Sequence, residues 1–340
     1  MWFALDVIGD ITYSQRFGFL DKGEDIAGLL KALHGVLRYG TLAGIYARIH
    51  PLLFSITAKL GMGGAAGRNY LMQYVNERIQ QRKAEKKAAG KDVGKTGPRD
   101  EGMPMDFLEK LLLAHDKDPE KVTPYHVFMM GLSNIIAGSD TTAVSLSSIL
   151  YNLLKHPDTL VKLRDEIRQF EAEGRCGNPN VSFKESQDMP YLQAVMKEAL
   201  RIHPATGLPL WRVVTEGGVE ICGTFFPDGS IIGINTWCAH YSEDVFGLDA
   251  HVFRPERWLE AQAEGGERLK AMESYWMPFG LGSRTCIGRH ISFLEMSKLI
   301  PQLVRQFDFE LAHPERPWKT ENNWFVKPID FEVKVSLRKT

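Results

Sequence analysis

Apolar positions recur at helical spacing along most of the chain. Tyr70, Leu71, Tyr74, Val75 and Ile79 mark one face of a helix predicted over 68–89, which turns strongly charged from Arg78 onward. The same spacing predicts helices over Asp106–His115, Thr123–Leu154, Pro157–Glu173 and Tyr191–Ile202. Residues 1–60 mix helical spacing with glycine breaks, such as Phe17-Gly18-Phe19-Leu20 before the polar run Asp21–Asp25. Residues 208–236 read differently. Val213, Val214, Val219, Ile221, Phe225, Ile231, Ile232 and Ile234 are strand formers, and Asp228-Gly229 is a hairpin signal. Residues 251–320 return to loops and helix, and Ile329–Leu337 alternates strictly, which predicts a terminal strand. The expected fold class is mainly α with a small β region.

The charge balance is near neutral, with 41 basic and 42 acidic residues in 340, which leaves no electrostatic footprint for nucleic acid. Hydrophobic residues make up 44% and charged residues 24%, so a large core can be buried and disorder is excluded. Length alone predicts about two domains. Residues 90–104, rich in Gly, Pro and charge, are expected as a mobile surface loop. Within it, Gly90 to Gly94-Lys95-Thr96 imitates a phosphate loop. The spacing is one residue short and a charged helix precedes it where the motif needs a buried strand, so the likeness is discarded. No apolar run reaches the ~18 residues of a membrane span. The opening M-W-F-A-L-D-V-I-G-D carries Asp6 and Asp10 in its apolar stretch, so neither leader nor anchor is expected and the chain reads as soluble and cytoplasmic.

Cys176, Cys222, Cys238 and Cys286 form no C-x-x-C pair, which argues against a disulfide framework or a structural zinc site. Cys286 stands apart because of its surroundings, F-G-L-G-S-R-T-C-I-G over 279–288. Gly280 and Gly282 allow a tight turn and close approach to a flat ligand. Arg284 can pair with a carboxylate, and Gly288 removes a side chain where a planar group would press. A helical pattern begins at Ile287, and a helix N-terminus favours a thiolate. A lone cysteine would be read as a buried small hydrophobe; one set in this string would not. His290, four residues on, makes no zinc site with a single cysteine.

The string F-x-x-G-x-R-x-C-x-G resembles the haem-binding signature of the cytochrome P-450 family of haem-thiolate monooxygenases. Phe279, Gly282, Arg284, Cys286 and Gly288 match every fixed position. Three further stretches occur in the family's order. In Ala137-Gly138-Ser139-Asp140-Thr141-Thr142, small Ala137 and Gly138 would let a helix lie against the other haem face. Asp140 and Thr141 suit a helix interior poorly, so a locally disturbed helix is expected there. The resemblance implies that these two relay protons to bound oxygen. Read in isolation the string is a helix N-cap cluster, but apolar helical sequence continues on both sides. Glu198 and Arg201 share a helix face at i, i+3. As an isolated pair they read as a weak surface ion pair; the resemblance implies a buried network with Arg257 of F-R-P-E-R-W, serving structure and haem incorporation. Arg212 is equally a haem-propionate partner, as the resemblance implies, or a strand-surface arginine. His240 is expected to bond local backbone and not a propionate.

The likeness covers nearly the whole chain, and D-V-I-G-D-I-T-Y-S-Q-R-F-G-F-L resembles fungal members of the pisatin demethylase and benzoate hydroxylase kind. It implies one haem-thiolate domain over 1–340, binding haem b (iron protoporphyrin IX) with Cys286 as axial ligand to the iron. It implies insertion of one oxygen atom from dioxygen into a lipophilic substrate, as in fungal secondary metabolism. Electrons would come from NADPH through a separate reductase, which Arg284, Arg289 and Lys298 would attract. The family usually carries an endoplasmic-reticulum anchor, a first β region and several helices ahead of this point. The chain is therefore expected to be truncated at its N-terminus, with weak haem retention and low stability. The competing expectation is a non-catalytic haem-binding remnant.

Overall fold

The computed structural model describes residues 1–60, 63–88, 104–176 and 180–338. All of the 90–104 stretch except Pro104 lies outside the described residues, and the discarded phosphate-loop likeness lies there too. The chain divides into two compact units, Met1–Ala143 and Val144–Thr340.

The first unit is helical: α1 (Trp2–Tyr13), α2 (Phe19–Lys22), α3 (Leu29–Ile45), α4 (His50–Lys59), α5 (Gly63–Ala88), α6 (Phe107–Lys117) and the first part of α7 (Pro124–Lys155). Its core gathers Leu5, Leu33, Leu71, Val75, Leu108 and Ile135. The glycine break after α1 has a specific organiser. Asp6, 2% exposed, accepts from the backbone N–H of Gly18, Phe19 and Leu20 at 2.7, 3.1 and 2.9 Å, so one carboxylate fixes the turn into α2. Gly18 sits at φ 90°, open to glycine at little cost. Asp106 caps α6 by accepting from Glu109 N–H at 2.7 Å and also takes bonds from Ser14 Oγ and Arg82 Nη1. Gly67 lets α5 lie close to α3, because a Cβ there would stand 2.7 Å from the Ala32 carbonyl oxygen.

The second unit begins within α7, whose Ile149 and Leu153 join a core with Leu163, Val195, Met196, Leu200, Met296 and Ile300. It continues through α8 (Pro157–Ala172), α9 (Phe183–Gln187) and α10 (Pro190–Ile202). Pro190 opens α10, where its missing N–H costs nothing. Glu166 of α8 accepts from the exposed N–H groups of Tyr191 and Leu192 at 2.7 and 2.8 Å and complements the positive end of the helix dipole.

Short strands follow: β1 (Arg212–Val213), β2 (Val219–Ile221), β3 (Thr224–Phe226) and β4 (Ile231–Ile232). β2 pairs with β3 and β1 with β4, both antiparallel. The tight hairpin therefore closes at Cys222-Gly223, both at positive φ (49° and 76°) as its twist requires. Asp228-Gly229, read as the hairpin signal, instead turns the chain from β3 into β4, which do not pair. Helices α11 (Thr236–His240), α12 (Glu243–Phe246), α13 (Glu256–Glu264), α14 (Glu267–Tyr275) and α15 (Arg289–Gln306) precede β5 (Phe307–Leu311), β6 (Lys319–Asn323), β7 (Phe325–Ile329) and β8 (Val333–Leu337). The expected terminal strand is split. β7 ends at Ile329 because Asp330 turns left-handed at φ 57°, and β8 pairs with β5 while β7 pairs with β6. The mainly α expectation with a small β portion holds. Among the described residues no helix is long and apolar enough to cross a membrane.

Candidate functional site

The loop between α14 and α15 is anchored by aromatic packing. Phe279 packs with Trp276 and Phe293, ring centroids 6.2 and 5.3 Å away, in a three-ring cluster on the core of its unit. Gly280 and Gly282 both take left-handed φ, 69° and 68°, which a side chain there would strain. Gly280 N–H bonds the Met277 carbonyl at 3.0 Å, and Cys286 N–H bonds the Phe279 carbonyl at 2.8 Å. The cysteine is thus held from its own backbone, two residues before Gly288, the N-cap of α15.

Cys286 is exposed, so the buried-hydrophobe alternative does not describe it; of the four thiols only Cys176 is buried. A Cβ on Gly288 would stand 3.8 Å from Cys286 Sγ, at ordinary contact distance, so the glycine leaves the space beside the sulfur unfilled. Arg284 is exposed, and no carboxylate of the described residues pairs with it. Arg212 is exposed in β1 and donates from Nη1 to the carbonyls of Leu210 and Trp211 at 3.0 and 2.9 Å.

A cofactor can be tested against this donor set. Among the described residues no group of three or more His, Cys, Asp or Glu is arranged to hold a metal ion. A single exposed cysteine on a glycine-hinged loop fits an iron that would bring its remaining ligands with it. Haem is such a group, and the residues present fit it.

In the first unit, α7 runs unbroken through Ala137–Thr142. The expected local disturbance is absent. Ser139 and Thr141 turn their hydroxyls back onto the carbonyls of Ile135 and Ala137 at 2.7 and 2.6 Å, which satisfies them inside the helix. Asp140 is 1% exposed and Thr141 half-buried. Gly138 has a packing reason, since a Cβ there would meet Ile8 Cγ1 of α1 at 2.9 Å.

Glu198, Arg201 and Arg257 are all fully buried. Glu198 Oε1 accepts from Arg201 Nη2, Arg257 Nε and Arg254 N–H; its Oε2 accepts from Arg201 Nε and Trp258 Nε1. Arg201 Nη1 reaches the carbonyls of His240 and Ala250 at 2.7 and 2.6 Å. Arg257 reaches the carbonyls of Phe246, Asp249 and Val252 and the carboxylate of Asp249. The buried network is real, and the surface-pair alternative falls. Sequence reasoning missed two members, Asp249 and Trp258. Burial would raise the Asp249 carboxyl, but the bonds from Arg254 and Arg257 win and hold it below its usual range. His240 is fully buried and bonds backbone, though distant backbone and not the local one expected, with Nδ1 on the Arg201 carbonyl and Nε2 on Met277 N–H, each 2.9 Å.

Comparison with known proteins gives the family. The family profile described as Cytochrome P450 matches residues 2–335. A pisatin demethylase of Fusarium vanettenii is 42% identical over 96% of this chain and 59% of its own length. Cytochrome P450 monooxygenase cicH of Emericella nidulans is 37% identical over 99% of the chain and 64% of its own length. Cytochrome P450 monooxygenase pkfB of the same species is 36% identical over 99% and 63%. The chain thus spans about 60% of the length of these curated relatives. A matching profile over almost the entire chain, together with the 42% identity to a curated relative, places the chain in the cytochrome P450 family.

Proposed function

We propose that the protein is a haem-thiolate monooxygenase that inserts one oxygen atom of dioxygen into a lipophilic organic substrate, in fungal secondary metabolism. The observation that carries this reading is the exposed Cys286 sulfur on a loop fixed by Phe279, Gly280 and Gly282. The reading treats residues 1–340 as one haem domain. Cys286 would hold the iron through its sulfur. Haem bound there supplies dioxygen activation, which a thiolate ligand favours. The bare flank at Gly288 admits the flat macrocycle, and Arg284 holds a propionate. Asp140 and Thr141 would hold and pass on protons at their side-chain oxygens. Thr141 Oγ, now donating to the Ala137 carbonyl, can turn to donate elsewhere because that carbonyl is a helix acceptor in its own right.

Two electrons come from NADPH through a separate reductase. The surface beside the cysteine suits such a partner: Arg284, Arg289 and Lys298 are exposed, and Ile287 is 98% exposed. The name pisatin demethylase belongs to a relative; for this chain the likeness supports a lipophilic secondary metabolite as substrate class. The test is NADPH-dependent oxygen consumption by the haem-loaded chain with a fungal reductase. Consumption that requires the chain and disappears in Cys286→Ser is expected. Consumption unaffected by Cys286→Ser would overturn the reading.

A further inference from the structure

We propose that His240 is a positioning residue for the cysteine: its imidazole ties the loop that carries Cys286 to the buried Glu198–Arg201–Arg257 network. This rests on the reading of Cys286 as the haem ligand.

The imidazole bridges two backbones. Met277 N–H can only donate, so His240 Nε2 accepts at 2.9 Å, and Nδ1 therefore carries the proton and donates to the Arg201 carbonyl at 2.9 Å. Arg201 returns a bond, from Nη1 to the His240 carbonyl at 2.7 Å. The two residues thus clamp each other, and Arg201 is itself held by Glu198. The far end of the bridge is the start of the cysteine loop. From Met277 the hydrogen bonds run on, Gly280 N–H to the Met277 carbonyl and Cys286 N–H to the Phe279 carbonyl. A second pin lies one residue earlier, where Trp276 Nε1 donates to the Lys197 carbonyl of α10 at 2.9 Å. The loop's approach is therefore registered on α10 at two consecutive residues.

Only a neutral imidazole can accept from Met277. Burial, with the Arg201 charge adding to it, lowers His240 to about 4, against the smaller upward pull of its bond to the Arg201 carbonyl and of Glu198. The ring thus keeps its Nε2 lone pair at neutral pH. A histidine that merely filled space would not need both ring nitrogens on backbone groups of two different segments.

Two amide substitutions separate the halves of the bridge. His240→Asn places an amide where Nδ1 is, which keeps the Arg201 side and cannot reach Met277. His240→Gln reaches the Nε2 position and keeps the Met277 side. Hydrogen exchange read by mass spectrometry on the chain without haem is the first measurement. In His240→Asn, exchange in the peptide over 277–288 should rise at least tenfold, with the α10 peptide unchanged; His240→Gln should keep the loop near wild type. The second measurement is the reduced carbon monoxide spectrum, where Asn should shift the thiolate-type band several-fold toward the non-thiolate one and Gln should not. Equal loop exchange in Asn and Gln, or an Asn variant like wild type, would overturn the inference. A wild-type chain with no thiolate-type band would instead remove the reading of Cys286, and the exchange data would still decide the loop's registry.

Discussion

Truncating Glu198 is the most severe single change the structure identifies. Its carboxylate accepts five hydrogen bonds at 2.8–3.0 Å, three of them from the Arg201 and Arg257 guanidiniums. Both guanidiniums are fully buried. Removing one partner of a buried ion pair costs about 3–5 kcal/mol, because the remaining charge cannot reach water. Here two cations lose the same partner, and the Arg254 N–H and Trp258 indole N–H are orphaned as well. The remaining bonds to backbone carbonyls and Asp249 offset part of this. A loss of about 4–6 kcal/mol is expected for Glu198→Ala, comparable to the whole stability of a domain at about 5–15 kcal/mol. Glu198→Gln should be nearly as costly, because its amide nitrogen would face donors. Arg254→Ala is the control. Its side chain is 31% exposed and pairs with Asp249 and Glu260, at 38% and 46%, so it should cost below about 1 kcal/mol. Urea unfolding followed by tryptophan emission measures all three. A Glu198→Ala chain within about 1 kcal/mol of wild type, or no worse than Arg254→Ala, would refute the argument.

Glu295 of α15 is 5% exposed, its Oε2 has no hydrogen-bond partner among the described residues, and burial pushes it to about 8. The folded chain keeps this proton while the unfolded chain releases it above the ordinary value of 4.5. The contribution is therefore fully present below that value and lost as pH rises toward 8, by up to about 4 kcal/mol; Glu295→Gln should flatten the slope, as melting temperatures at pH 5 and pH 8 would show. Gly138→Ala should destabilise by about 1–3 kcal/mol through overpacking on Ile8. In an Ile8→Ala background it should instead stabilise by about 1 kcal/mol, the ordinary helix preference for alanine, and chemical denaturation of the double-mutant cycle tests that reversal. Thr141→Val should change unfolding free energy by less than about 1 kcal/mol but lower the product formed per NADPH consumed, as product and cofactor assays on the reconstituted system would show.

What was legible in one dimension depended on how local each signal was. The bounds of α7 lie within a residue of the expected Thr123–Leu154, because a long apolar pattern and Pro124 agree. Glu198 and Arg201 were legible because i, i+3 spacing puts them on one face, and Phe279 through Gly288 because the loop's hinges are its glycines. Asp249 and the two-ended bridge of His240 were not, since their partners lie at another sequence distance that only the folded chain defines. The β errors have the same cause. Asp228-Gly229 and Cys222-Gly223 both place glycine second in a turn, and strand pairing decides which closes a hairpin. Alternation continues across Asp330, yet one left-handed residue divides β7 from β8. The local disturbance expected at Asp140 and Thr141 failed because hydroxyls that compete with a helix can also be satisfied within it.

The most direct test of the account is the carbon monoxide difference spectrum of the reduced, haem-loaded chain beside Cys286→Ser. A thiolate-type band in the chain that is lost in the variant is the predicted result. No haem uptake, or a non-thiolate band identical in both proteins, would contradict the assignment of Cys286 and the function built on it.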